Sequence, residues 1–402
     1  MRDTSGMGTV PATSAPLPDH ASVVVIGGGV IGTSIAFHLA EAGVRDVLLL
    51  ERGDLAGGST SKAAGGVRAQ FSDVVNIELG ARSLLAFEQF AQHPGAEIDL
   101  HQVGYLFLHT DAASATAAEE AVRLQHSLGV ATQLLTAAQA RELSPAADVS
   151  DVILATFHPR DGYCSPESVV LGYASAARRL GATIRTGVEV LAIESSGGHI
   201  TGVETSAGMV RTSAVICAAG AWSRAVGDMV GVDLPVDPLR RQILVTEPLS
   251  ESLLALFPAT TPLTIDVGSS FYLHREGPGV LFGMSYQQET HGFRTTYSED
   301  WYPDLIEAIE RRCPSLLDVG VAHRWAGLYE DTPDHNALIG EATEVGRFLY
   351  ATGFSGHGFL MGPAVGEVVR DLWLERESIV DVHTLDARRF AEGNALIEHH
   401  IV

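Results

Sequence analysis

The sequence predicts an α/β protein whose parallel core sheet is built from discontinuous segments, joined to a second α+β domain carrying an antiparallel sheet. Two observations lead there. Residues 23–53 read as one complete strand–helix–strand unit, and glycine-rich stretches recur at the start, middle and end of the chain with β-branched and aromatic segments between them. The bulk numbers agree. A chain of 402 residues with 46% hydrophobic content suits roughly two domains. The formal net charge of −23 repels phosphate backbones and anionic membrane surfaces, which argues against a nucleic-acid partner. No apolar run is long enough to span a bilayer. Cys164, Cys217 and Cys313 are odd in number and widely spaced. They form neither a disulfide framework nor a zinc pattern, so no metal site is expected and a reducing, cytoplasmic compartment is. Residues 1–20, rich in Pro, Ser, Thr and Ala, read as a disordered leader.

The first unit justifies itself piece by piece. Val23, Val24, Val25 and Ile26 form the apolar run of a strand buried on both faces. Gly27, Gly29 and Gly32 follow as G-x-G-x-x-G, and Ile31, Ile35 and Leu39 then recur at helical spacing. Gly27 permits the tight turn, Gly29 lets a pyrophosphate approach the backbone, and Gly32 lets the helix pack close to the strand. The helix N-terminus offers amides and a positive dipole end to phosphates. A second strand at 47–50 ends at Glu51 and Arg52, and the Glu51 carboxylate can accept hydrogen bonds from ribose hydroxyls. This is a Rossmann-like dinucleotide cradle. Glu51 argues against NADP, whose 2′-phosphate it would repel, and leaves NAD and FAD open.

The remaining elements follow in order. Residues 54–66 form a permissive loop containing Ser59, Thr60, Ser61, Lys62, Ala63, Ala64 and Gly65, suited to close approach of a ligand. Lys62 is the only lysine in the chain. An amphipathic helix spans 73–92, a strand 103–109, a helix 113–126, a strand 152–157 and a helix 168–180. Short strands at 182–185, 188–194 (with Val190) and 200–204 read as a meander. Residues 212–223 are a buried strand running into Ala218, Ala219, Gly220 and Trp222. Segments 236–246, 271–274 and 280–286 have the strand character of an antiparallel sheet, and 301–312 is an amphipathic helix. A strand, a glycine-rich turn and a helix close the series at 347–369, carrying Gly353, Gly356, His357, Gly358, Phe359 and Leu360. The expected division is 21–90, 150–235 and 330–402 for the nucleotide domain and 91–149 and 236–329 for the substrate domain.

Four stretches, "VIGGGVIGTSIAFHLAEAGVRDVLLLER", "GGSTSKAAGGVRAQFS", "VICAAGAWS" and "GFSGHGFLMGPAVGEVV", resemble the D-amino-acid oxidase superfamily of FAD-dependent oxidoreductases. The likeness is greatest to the branch of glycine oxidase and the β-subunits of sarcosine oxidase and proline dehydrogenase. The resemblance implies FAD, with the cradle holding the ADP portion and the 57–66 loop, Val190 and the Ala219–Gly220 turn lying along the cofactor. The helix after Gly358 would aim its positive end at the flavin. The implied chemistry is oxidation of a C–H beside an amine or amino-acid nitrogen by hydride transfer to flavin N5, giving an imine that hydrolyses. Oxygen or another electron acceptor completes the turnover.

By the same resemblance Arg68 grips a substrate carboxylate, while the second cationic anchor of monomeric sarcosine oxidases is replaced by Leu360. Lys62 stands where relatives link a histidine to flavin, and Gly327 about where others link a cysteine, so non-covalent FAD is expected. Tyr272, His274, Arg324, Tyr329 and His357 complete the candidates, with Arg68, His357, Tyr272 and His274 favoured for catalysis. The alternative is a flavin-bearing subunit or assembly factor that works within a larger homo- or hetero-oligomeric complex.

Overall fold

The computed structural model describes residues 16–396 and residue 398. The part of the expected leader at 1–15 lies outside the described residues. Asp19 and His20 belong to the fold, since Asp19 O accepts from Arg211 N at 3.0 Å and His20 bridges Arg211.

The core is a six-stranded sheet in the order Leu338–Glu341, Phe348–Thr352, Val215–Cys217, Val23–Ile26, Val47–Leu50, Thr183–Arg185. All neighbours run parallel except the first pair. Val23–Ile26 and Val47–Leu50 are buried throughout, as a sheet covered on both faces requires. Val23 and Val25 pack on the helical side with Ile35, Phe37, Val365 and Val369. Val24 and Leu48 pack on the other side with Val203, Val210 and Tyr350. The meander on that side is Val190–Ser196, His199–Thr205 and Gly208–Arg211. Thr183–Arg185, expected to belong to the meander, is instead the edge strand of the parallel sheet: Leu48–Leu50 offers it an open edge, and it pairs there in parallel register.

A second sheet has eight strands in the order Val321–Asp331, Asp237–Thr246, Gly279–Met284, Tyr272–Glu276, Leu263–Asp266, Tyr105–His109, Leu154–His158, Gln133–Leu135. It is antiparallel except where Leu263–Asp266 runs alongside Tyr105–His109. Leu154–His158 falls on the nucleotide side of the expected boundary at 150. It lies instead in the antiparallel sheet, paired on one side with Tyr105–His109 and on the other with Gln133–Leu135. The eleven-residue strand Val321–Asp331 was not foreseen. It starts with exposed Val321–Arg324 and carries a central glycine, so it lacks a strand's usual pattern.

Two helices fix how the sheet's ligand end is built. Val30–Glu41 follows the first strand and Gly358–Trp373 follows the last parallel one. They touch at glycines: a Cβ on Gly362 would lie 2.6 Å from Val30 Cγ2, and one on Gly366 would lie 2.1 Å from Ser34 Oγ and 2.9 Å from the Ser34 carbonyl carbon. Any larger residue would push the helices apart. Gly366→Ala is expected to cost about 1–3 kcal/mol through overpacking, read as a lower thermal midpoint. Adding Ser34→Ala is expected to restore only part of it, because the Ser34 backbone also stands in the way.

Candidate active site

Both helix N-termini open onto one cavity of about 620 Å³, within the range of small-molecule sites. Neither carries a side-chain cap, whereas Asp73, Asp111 and Ser165 cap the helices that follow them. An uncapped first turn leaves amides and the positive dipole end for a ligand. At the first of these ends Thr60 Oγ1 takes the Val30 amide at 3.2 Å.

The nucleotide end is built as its spacing requires. Gly27 sits at φ +115°, and a Cβ there would lie 2.2 Å from Ala218 O. Glu51 leans back over the turn: Oε2 accepts from Gly28 N and Oε1 from Gly53 N, both at 2.7 Å. Each oxygen keeps further acceptor capacity at the cavity wall, as a ribose diol needs. Arg52 lies 4.0 Å over the Trp222 ring, which stacks on Phe293 at 5.4 Å. The cavity runs from this cradle past Ser59, Thr60, Lys62, Ala63, Ala64, Gly65, Val190, Ala219 and Gly220 to Gly327, Gly356, His357, Gly358, Phe359 and Leu360. A long shape with two helix ends and an acid at the ribose position fits an anionic dinucleotide such as FAD.

On the side of the eight-stranded sheet the same cavity forms a chamber lined by Arg68, Tyr105, Arg241, Ile243, Leu263, Ile265, Tyr272 and Tyr329. Burial pushes the phenol pKa values of Tyr105, Tyr272 and Tyr329 up, so all three keep their protons. Arg68 is buried, 4.0 Å over the Phe71 ring. Its Nη1 donates to Gln70 O, and its Nη2 lies 3.2 Å from His357 Nε2. A guanidinium can only donate, so His357 Nε2 accepts. The two strongest sequence candidates therefore meet, although 289 residues separate them in the chain.

Behind Arg68 sits Asp161, fully buried. It accepts from Ala69 N at 3.0 Å, Gln70 Nε2 at 3.1 Å and His158 Nδ1 at 2.6 Å. Asp161, Arg241, Tyr105 and Glu330 were not foreseen. Arg241 and Glu330 sit on strands whose own pattern does not single them out, Tyr105 and Asp161 sit beside the lone glycines Gly104 and Gly162, and only the "HPRD" spacing of His158 and Asp161 hinted at a pair.

Five expected residues do not line the cavity. Gly32 packs on Gly27 O, where a Cβ would lie 1.9 Å away, so it serves helix–strand contact alone. Ser61 N closes a turn onto Ala56 O at 3.0 Å. Gly353 faces Thr332, and its amide donates to Glu330. Arg324 is exposed and pairs with Glu299 at 2.7 Å. His274 is a brace: its ring contacts Ala64 O at 3.0 Å and Arg275 O at 2.7 Å and stacks on Tyr163 at 4.2 Å. Burial pulls its pKa down to about 4 against two carbonyls that favour the proton. Gly327 lines the cavity, and a Cβ there would lie 2.5 Å from Lys62 Cβ.

Among the described residues Glu330 is the cavity-lining carboxyl beside the Gly358 helix end. Burial raises its pKa to about 7, opposed by donors from Gly353 N, Thr352 Oγ1 and Phe354 N. The folded chain thus holds this proton more tightly than an unfolded chain, whose carboxyl titrates at the ordinary 4.5. The stability it contributes is fully present below that value and is lost as pH rises through about 7. In the apoprotein, Glu330→Gln is expected to flatten the fall in thermal stability between about pH 5 and about pH 8, by on the order of 2 kcal/mol, measured by melting curves across pH.

Comparison with known proteins matches these features. The chain is similar to mouse (Mus musculus) mitochondrial dimethylglycine dehydrogenase, 29% identical over 399 residues, covering 95% of this chain and 46% of that protein. The chain spans about half the length of the curated relatives it matches first. Among solved structures it is similar to L-proline dehydrogenase from P. horikoshii, with TM-score 0.88, 31% identity, and 94% and 99% of the two chains covered. It is also similar to glycine oxidase from Geobacillus kaustophilus, with TM-score 0.80, 25% identity, and 92% and 98% covered. Residues 22–372 match the family model described as FAD dependent oxidoreductase (DAO). With a cradle, a loop and a second helix end lining one cavity, this chain belongs to the DAO family of FAD-dependent oxidoreductases.

Proposed function

We propose that the protein oxidises the C–N bond of an amino acid or of a secondary or N-methyl amine, with FAD bound non-covalently. The observation that carries this reading is the continuity of the cavity: the dinucleotide cradle opens directly into a chamber lined by two arginines and three tyrosines. The names of the similar dimethylglycine and proline dehydrogenases and glycine oxidase support it. When bound, FAD supplies the two-electron acceptor that the side chains here cannot provide.

The chain's own residues set up the reaction. Ile243, Leu263 and Ile265 exclude water from one wall. Tyr105, Tyr272 and Tyr329 hold their protons and act as donors rather than bases. Arg68 places a fixed positive charge beside the chamber and, through its contact with His357 Nε2, orients that ring at the start of the Gly358–Trp373 helix. Glu330, titrating near neutrality, is the wall group suited to exchange a proton. Lys62, lying against Gly327, is the lysine available to favour oxygen as the acceptor. Cys164, Cys217 and Cys313 are buried free thiols, which supports a reducing, cytoplasmic location. Among the described residues no helix is long and apolar enough to cross a membrane.

The test is an anaerobic titration of the holoenzyme with sarcosine, dimethylglycine, proline, glycine and D-amino acids. Bleaching of the flavin absorbance by at least one of them is expected, and no bleaching by any would reject the reading. Parallel assays for peroxide and for a dye acceptor then separate oxidase from dehydrogenase. Lys62→Met is expected to slow reoxidation by oxygen more than reoxidation by the dye.

A further inference from the structure

The segment from Tyr286 to Ser298 connects strand Gly279–Met284 of the antiparallel sheet to helix Tyr302–Arg312. It has no helix or strand of its own, yet it is pinned along its length. The buried Glu289 side chain lies between two arginines: Arg240 Nε donates to its Oε2 at 2.7 Å, and Arg294 Nη2 lies 2.9 Å from its Oε1. Arg240 Nη1 also donates to Thr296 O at 2.8 Å. Gly292 N donates to Pro238 O at 2.7 Å, and His291 Nε2 lies 3.0 Å from Asp331 Oδ2. The segment is a braced arch, and it carries Phe293.

Phe293 is 56% exposed and stacks on Trp222, with ring centroids 5.4 Å apart and planes 27° from parallel. Among the described residues neither ring belongs to a hydrophobic core, so core packing does not account for the pair. Trp222 also carries the Arg52 guanidinium 4.0 Å from its ring centre. One stack thus joins the arch, the turn after Val215–Cys217 and the residue that follows Glu51. Arg52 and Trp222 line the cavity with Gly58, where a Cβ would lie 3.8 Å from Trp222 Cζ3. Phe293 backs this wall from the arch. Parting the stack frees the wall beside the Glu51 cradle.

We propose that Phe293 is a positioning residue that clasps the cofactor groove: by seating Trp222 against Arg52 it keeps the nucleotide end of FAD in place until the stack parts. The stack forms from the chain's own residues alone, so entry has to part it as release does. A clasp therefore slows both directions, whereas an ordinary ligand contact slows release only. The proposal rests on the non-covalent binding of FAD proposed above and is independent of the amine-oxidation reading.

The test uses FAD itself. Association is followed as quenching of FAD fluorescence on mixing with apoprotein, and dissociation as its recovery on dilution of the holoprotein. Phe293→Ala is expected to speed both rates about 3- to 10-fold, the range that one exposed aromatic stack contributes to an equilibrium constant, with little change in Kd. Phe293→Tyr, which keeps the ring, is expected to retain both wild-type rates. The apoprotein melting midpoint of Phe293→Ala is expected to match wild type, because the ring lies outside the cores. The clasp is overturned if Phe293→Ala releases FAD at the wild-type rate, or if release quickens while association does not. Flavin that stays with the acid-denatured wild-type protein would reject the non-covalent reading and the clasp together, while unchanged rates in Phe293→Ala would reject the clasp alone.

Discussion

The site depends on a contact between two helices that start far apart in the chain. Gly362 and Gly366 let Gly358–Trp373 lie against Val30 and Ser34 with no side chain between. That closeness brings two uncapped N-termini to the same cavity. One positive helix end holds a phosphate well; two such ends, set by a rigid crossing, select a ligand with negative character at two separated points. The parallel sheet beneath serves the same constraint, because the two parallel strands that flank Val215–Cys217 deliver both helices from the same end of the sheet.

The chamber is a product of strand alternation. Arg240 and Arg241 are chemically identical neighbours, yet a period of two sends one to Glu289 and the other to the cavity. The cross-strand partner of Arg241 is Gly327, which carries no side chain to compete for the space beside it. Tyr105 is held equally tightly: a Cβ on Gly66 would lie 1.7 Å from its hydroxyl. The walls are therefore preorganised by backbone contacts rather than by flexible side chains.

Local rules made the nucleotide half legible. Gly27, Gly29 and Glu51 stand where a turn, a close approach and a ribose contact demand them, and the Gly358 helix starts where the glycines end. The resemblance supplied Arg68, and the structure adds its contact with His357. What stayed hidden was set by tertiary pairing. Val321–Asp331 forms because Asp237–Thr246 offers it a long edge, not because its own pattern says strand. Thr183–Arg185 joins the parallel sheet for the same reason. Nothing in the sequence separates Arg241 from Arg240 until the strand's register is known. His274 and Arg324 look alike in sequence and part company only through burial.

The order of segments in the central sheet also bears on how the chain matures. Val215–Cys217 stands between Val23–Ile26 and Phe348–Thr352, and the cavity gains its second helix end only after the last of these has paired. Such distant pairing is slow to form and leaves apolar edges open meanwhile. A nascent chain on the ribosome that has passed Asp331 already carries both chamber arginines, but it still lacks the strand and helix that close the cofactor's groove. Cofactor capture is thus expected late in synthesis, and until then the half-built sheet keeps apolar edges open.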